Sequence, residues 1–141
     1  MAAMLKLAEL TGKDRVYDLG CGDGRLLIAA ASTYGCSGVG IDVDGELLDR
    51  ARAGAAVEGV GDRLSFIQGD LFESDLGEAT VVFIYLLPHL NLRLRPRLQA
   101  QLHSGARLIS HQFDMGDWPP DTCLTLSPSA EDSVIYRWRI P

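Results

Sequence analysis

The run Val16-Tyr17-Asp18-Leu19-Gly20-Cys21-Gly22-Asp23-Gly24-Arg25 places three glycines within five residues, with acids on either side of the first two. A short apolar stretch precedes the glycines and a Leu- and Ala-rich one follows, so the run reads as the turn from a first strand into a helix. In that position backbone amides and the helix N-terminus face outward, toward a ligand. Glycine lets the turn close tightly and lets a ligand reach the main chain with no Cβ in the way. The spacing is G-x-G-x-G, with Arg25 where the dinucleotide fingerprint G-x-G-x-x-G carries its third glycine. Asp18 and Asp23 would repel a diphosphate, whereas they suit a ligand bearing a positively charged amino group.

That contrast favours S-adenosylmethionine, with its ammonium and sulfonium charges, over NAD or FAD. A second acid supports a nucleoside ligand. Gly38-Val39-Gly40-Ile41-Asp42 ends a second strand with Asp42, about 20 residues past the glycine loop, where ribose hydroxyls are gripped in such sheets. Asp44 reads instead as the N-cap of the helix that follows. A third acid, Asp70 in Phe66-Ile67-Gln68-Gly69-Asp70-Leu71, comes after the third strand and could accept a hydrogen bond from an adenine amino group.

The elements that must hold these residues alternate along the chain. A helix is expected over Met1–Leu10, ended by Thr11-Gly12-Lys13-Asp14. Strands follow at Val16–Leu19, Gly38–Val43, Leu64–Gln68, Thr80–Leu86 and Arg107–Phe113. Between them lie helices at Arg25–Tyr34, capped by Gly35, at Glu46–Glu58, and at Asn91–His103, where Pro96 predicts a kink or a helix start. Thr122–Ser127 and Val134–Ile140 read as two strands joined by the turn-like Pro128-Ser129-Ala130-Glu131-Asp132. Strand–helix alternation implies an α/β domain with a doubly wound, mainly parallel sheet of seven strands, and the closing pair implies an antiparallel C-terminal hairpin at one edge.

The 141 residues are 47% hydrophobic and 23% charged, which suits one globular domain over residues 1–141 and excludes a disordered chain. The longest apolar run, Ala79 to Pro88, is far shorter than a membrane span, and no signal peptide is evident, so no membrane partner is expected. The net charge of −6 repels nucleic-acid phosphates and argues against a nucleic-acid-wrapping protein. Cys21, Cys36 and Cys123 are odd in number and form no CxxC pair, a pattern that suits reduced thiols in the cytoplasm. No zinc ligand set or HExxH helix suggests a metal.

Together the glycine motif, the ribose acid, the adenine acid and the reversed hairpin resemble the class I S-adenosylmethionine-dependent methyltransferases, over nearly the whole chain. A narrower resemblance lies in the second half. Ala79-Thr80-Val81-Val82, Tyr85-Leu86-Leu87-Pro88, Asn91, Leu94-Arg95-Pro96-Arg97-Leu98 and Gly105-Ala106-Arg107-Leu108-Ile109-Ser110-His111 are similar to the archaeal and mitochondrial protein-lysine N-methyltransferases and their bacterial homologues. The resemblance implies that Asp18, Gly20, Cys21, Gly22, Asp23 and Arg25 surround the methionine part of the cofactor. It implies that Asp42 and Val43 contact ribose and adenine, that Asp70 and Leu71 contact the adenine, and that Tyr85 and Leu86 line the place where methyl donor meets acceptor.

The implied acceptor is a protein lysine side chain, with a small-molecule acceptor as the alternative. Relatives carry a short Tyr/Pro-containing segment before the first helix, and this sequence begins inside that helix, so a non-catalytic cofactor-binding module is a further alternative. The motif Asn/Asp-Pro-Pro-Tyr, which serves planar amide or base nitrogens, is absent, since the fourth strand ends Ile84-Tyr85-Leu86-Leu87-Pro88. His111 reads as a hydrogen-bonded structural histidine, with a substrate-facing role as the alternative, His89 and His103 as surface residues, and Arg93, Arg95 and Arg97 as a solvated helix face, with attraction of an acidic protein segment as the alternative. Trp118 is expected to pack a loop on the rim of the sheet.

Overall fold

A computed structural model describes residues 2–126 and 133–141. The elements run α1 (Ala2–Leu7), β1 (Arg15–Leu19), α2 (Arg25–Tyr34), β2 (Ser37–Asp42), α3 (Gly45–Val57), β3 (Leu64–Gln68), a 3₁₀ turn (Leu71–Glu73), β4 (Val81–Ile84), α4 (Pro88–Gln101), β5 (Arg107–His111), β6 (Thr122–Leu126) and β7 (Ser133–Arg139). The expected turn at Pro128–Asp132 lies outside the described residues, as does Met1.

β1 and β4 are buried on both faces because Val16, Tyr17, Leu19 and Val81-Val82-Phe83-Ile84 alternate between two separate cores. Val16, Val81 and Phe83 pack under α1, α2 and α3 with Leu5, Leu27, Leu48 and Phe66. Tyr17, Leu19, Val82 and Ile84 pack under α4 with Leu94, Leu98 and Trp138. The seven strands therefore form the middle of three layers, in the order β3-β2-β1-β4-β5-β7-β6. The five strands from β3 to β5 are parallel, while β7 is antiparallel to both β5 and β6. The closing pair is thus antiparallel as expected, with β7 inserted inside β6. The chain winds to one side of β1 through β2 and β3, then returns to its other side with β4. That reversal places a crevice at the carboxyl ends of β1 and β4, where open α/β sheets hold ligands.

Several boundaries differ from the expectations, for local reasons. α1 ends at Leu7 instead of Leu10 because Glu9 takes a left-handed backbone (φ 54°) and arginines from the sheet capture its end. Arg137 donates to the Leu7 carbonyl at 3.1 Å and Arg107 to the Glu9 carbonyl at 3.2 Å. β4 stops at Ile84, which releases Tyr85 and Leu86 into the loop. α4 begins at Pro88, whose fixed φ and missing N–H suit the first helical position, and runs on through Pro96. Pro96 stands on the exposed side of the helix, where the carbonyl it leaves unpaired can meet water.

At the far end of the sheet, the buried Asp14 carboxylate gathers three partners. It accepts hydrogen bonds from the Thr11 amide and the Thr80 hydroxyl, each at 2.8 Å, and pairs with Arg107. The starts of β1, β4 and β5 are thereby tied together, leaving their carboxyl ends to be shaped by loops.

Candidate functional site

The glycine loop is built by main-chain bonds to the next strand. Both the Gly20 and Cys21 amides donate to the Ile41 carbonyl, at 2.8 and 3.1 Å, and Gly20, Gly22 and Gly24 all take positive φ. The three glycines do different work. A Cβ at Gly22 would meet nothing within 4 Å, so this stretch of main chain is open to a ligand. A Cβ at Gly24 would stand 2.8 Å from both Ala51 Cβ and Phe66 Cε1, so Gly24 lets α2 seat against α3 and β3.

Asp42 braces the open part of the loop. Its Oδ2 accepts from the Gly22 amide at 2.9 Å and its Oδ1 from the Asp44 amide at 2.9 Å. Each carboxylate oxygen keeps a lone pair for a further donor. The Asp42 carbonyl accepts from the Gly69 amide at 3.0 Å, which ties the ends of β2 and β3 together. Beside Asp42, Val43 is an apolar side chain left 72% exposed, a surface that a stacked base would cover. Asp44 caps α3 as expected, accepting from the Glu46 and Leu47 amides. Asp70 is exposed and also has a local role: its Oδ1 accepts from the Phe72 amide at 2.8 Å, leaving Oδ2 for a ligand. Leu71 is half-buried beside it.

Asp18 faces a cavity of about 280 Å³ lined by Met4, Gly20, Leu26, Phe83, Tyr85 and His111, among others. Burial pushes its carboxyl up to about 7, and the neighbouring Asp42 charge adds to the rise. A positively charged ligand group placed here would reverse that preference and ionise Asp18. The set of donors and acceptors therefore fits S-adenosylmethionine: a buried acid with no cation beside it among the described residues, an open glycine main chain, and a second acid poised at the end of β2.

Other expected site residues turn elsewhere. The Cys21 thiol packs inward, where a Cβ at Gly40 would come within 2.7 Å of its sulfur. Burial and the charges of Asp18, Asp42 and Asp23 push it up to about 12, so it is a protonated plug under the loop. Asp23 and Arg25 pair with each other at 2.7 Å and line an open groove of about 620 Å³ between α2 and α3. Asp18 does not line that groove.

On the acceptor side, Tyr85 is 59% exposed and its ring lies 4.5 Å from that of His111, tilted by 44°. Its hydroxyl stands 3.4 Å from Gln112 Oε1. Leu86 is half-buried over the glycine loop, its Cδ2 3.8 Å from where a Gly20 Cβ would lie, and Leu87 is 55% exposed. His111 differs from the expectation of a hydrogen-bonded structural residue: its Nδ1 is buried with no partner among the described residues.

Two residues near the site have roles that the sequence alone does not announce. Gln112 is a non-glycine residue at φ 75°. Asn91 is fully buried in the first turn of α4 and donates to the Phe113 and Asp114 carbonyls, both at 3.1 Å. It shares a helix face with Leu94 and Leu98, and the sequence signals it in two ways, as a polar residue in that apolar series and as one of the residues that carry the narrower family resemblance. The arginines of α4 are less solvated than expected. Arg95 pairs with Asp117, Arg97 donates to the Ser74 carbonyl at 2.6 Å, and Arg93 lies 4.0 Å over the Phe72 ring. Trp118 packs on Trp138 at the rim, as expected, with ring centroids 5.8 Å apart.

Comparison with known proteins adds a family. A family described as the ANTKMT methyltransferase domain matches residues 18–122. A protein-lysine N-methyltransferase of Saccharolobus islandicus is 37% identical over 138 residues, which cover 97% of this chain and 86% of that protein. An adenine nucleotide translocase lysine N-methyltransferase of Mus musculus is 31% identical over 115 residues, 81% of this chain but only 50% of the mouse protein. Among solved structures, an RNA methyltransferase from Salinibacter ruber in complex with S-adenosylhomocysteine superposes with a TM-score of 0.94 at 50% identity, covering 99% of this chain and 89% of that one.

Proposed function

The chain belongs to the ANTKMT methyltransferase domain family and is an S-adenosylmethionine-dependent methyltransferase, and we propose that it methylates lysine side chains of protein. The observation that carries this reading is the end of β4. There Tyr85-Leu86-Leu87-Pro88 forms an exposed, mainly apolar mouth beside the Asp18 cavity. Such a mouth suits a long aliphatic side chain ending in an amine.

When bound, S-adenosylmethionine supplies a methyl carbon activated by its sulfonium, so the protein's part is to align the acceptor and strip its water. Proximity of that kind can lower a barrier by roughly 7–11 kcal/mol. Leu86 and Leu87 would desolvate the lysine, favouring the neutral amine against its free pKa of about 10.4. Asp18 would hold the cofactor's ammonium, and the free lone pairs of Asp42 its ribose hydroxyls. Val43 and Leu71 would flank the adenine, with Asp70 Oδ2 accepting from the adenine amino group. Asp23 and Arg25 act through their mutual ion pair, which fixes the outer side of the loop.

The 50% identical relative is an RNA methyltransferase, which favours RNA as a second reading. The acidic net charge of −6 weighs against it, because RNA contacts are driven by basic surface. The test is incubation with methyl-labelled S-adenosylmethionine and a cell extract, followed by fractionation. Label in methyl-lysine after protein hydrolysis supports the proposal; label confined to RNA or to small molecules overturns it.

A further inference from the structure

We propose that Asn91 is the positioning residue of the acceptor mouth: its side-chain amide holds the turn after β5 against the segment after β4, and so sets the gap in which the acceptor meets the methyl group. The assignment rests on the reading above that the acceptor enters at the end of β4.

Two stretches of chain meet at the mouth. One is Tyr85-Leu86-Leu87-Pro88, released from the end of β4. The other starts at His111, whose ring lies 4.5 Å from that of Tyr85, and Gln112, whose Oε1 stands 3.4 Å from the Tyr85 hydroxyl. Gln112 has φ 75°, a left-handed backbone that a non-glycine residue takes only where its neighbours enforce it. Asn91 joins the two stretches. Its main-chain amide donates to the Leu87 carbonyl at 3.1 Å. Its Nδ2 lies 3.1 Å from both the Phe113 and Asp114 carbonyls and 3.3 Å from the Ser110 hydroxyl. The two carbonyls can only accept, so the nitrogen must face the turn and the amide has one orientation.

Stability does not account for an amide at this place. Asn91, Leu94 and Leu98 are the buried residues of α4, and the Asn91 Oδ1 is buried with no partner among the described residues. A buried polar atom left unpaired works against the fold. An apolar side chain in its place would strand neither carbonyl, since that of Phe113 also accepts from the Ser110 hydroxyl at 2.6 Å and Asp114 is exposed to water. What the amide adds is a fixed separation between α4 and the turn. The rest of the loop is held without it. Met115 is fully buried in the core under α4, and Arg95, one helical turn past Asn91, donates to the Met115 carbonyl at 3.0 Å. Loss of the Asn91 amide therefore frees Gln112–Asp114, beside Tyr85, and leaves the loop anchored further on. None of the residues assigned to the cofactor is a hydrogen-bond partner of the Asn91 side chain.

The test uses the full chain with methyl-labelled S-adenosylmethionine and cell-extract protein, at a temperature well below the Tm of each variant. Asn91→Leu keeps the branch at Cγ and removes both donors. The Leu variant is expected to bind S-adenosylhomocysteine as the wild type does while its apparent kcat at saturating extract protein falls roughly tenfold to hundredfold, with a smaller change in KM. Hydrogen exchange should quicken at the amides of residues 112–116 and stay unchanged in the parallel strands. A residue that only supports the fold would lower the Tm and leave kcat of the folded enzyme alone. Wild-type kcat in the Leu variant overturns the assignment, as does a loss carried by KM alone, a fall in kcat without faster exchange at 112–116, or loss of cofactor binding in parallel with activity. If the Leu variant does not fold, Asn91→Ala takes its place with the same expectations, and failure of both to fold overturns it. Wild-type label in RNA or small molecules overturns the lysine reading by itself, and the variants are then read on the labelled fraction. Label in no fraction overturns both.

Discussion

The Asp42 carboxylate receives the Gly22 amide at 2.9 Å, so the acid at the end of β2 and the open glycine of the β1–α2 loop form one unit. The contact spans 20 residues of sequence and crosses from one strand to the next. It shapes the main chain that a ligand would approach, while each Asp42 oxygen keeps a lone pair to hold that ligand.

Asp18 makes cofactor binding depend on pH. Its carboxyl lies at about 7 in the folded chain against an ordinary 3.8. A carboxyl raised by burial favours the folded state while protonated; that stability is complete below 3.8 and is lost as pH rises through about 7. A ligand ammonium draws Asp18 into its ionised form, so binding below about pH 7 must release a proton. Affinity for S-adenosylhomocysteine should therefore rise between about pH 6 and about pH 8. Calorimetry in buffers of different ionisation enthalpy would count the proton. Asp18→Asn should weaken binding, flatten its pH dependence and raise the Tm at pH 8, whereas a wild-type affinity that does not change with pH contradicts the role given to Asp18.

Gly22 and Gly24 should respond differently to the same added methyl. Gly24→Ala drives a Cβ to 2.8 Å from Ala51 and Phe66 at φ 77°, and should destabilise by about 2–5 kcal/mol from overpacking and left-handed strain together. Gly22→Ala meets nothing within 4 Å, so it should cost only the left-handed term, about 1–2 kcal/mol, yet impair cofactor binding. Thermal unfolding and calorimetry on both variants would check this. Equal binding by Gly22→Ala and wild type would show that the ligand does not approach this main chain.

The buried Asp14–Arg107 pair should matter for stability and not for binding, because it lies at the amino ends of the strands. Asp14→Ala leaves the guanidinium without its carboxylate and should cost about 3–5 kcal/mol. Denaturant titration measures that loss. Affinity for S-adenosylhomocysteine in the folded variant should match the wild type.

α2 and β3 are legible with their bounds because their ends are marked locally, α2 by a glycine turn on each side and β3 by Arg63 before and Gly69 after. The start of α4 is not, because Pro88 and Pro96 compete as helix starts, and tolerance of a mid-helix proline depends on which face meets water, which only tertiary packing decides. The insertion of β7 between β5 and β6 is likewise not readable, since strand order in a sheet is set by long-range pairing. At the site, the acids at strand ends are legible from type and spacing. The left-handed conformation of Gln112 is not, because a backbone angle leaves no mark on residue type.

Titration of the intact chain with S-adenosylhomocysteine, with NADH as control and Asp42→Ala as the variant, tests the cofactor site most directly. The predicted result is saturable binding of S-adenosylhomocysteine to the wild type, none of NADH, and loss of binding in Asp42→Ala with the fold retained. Undiminished binding by folded Asp42→Ala, or preference for NADH, would contradict it.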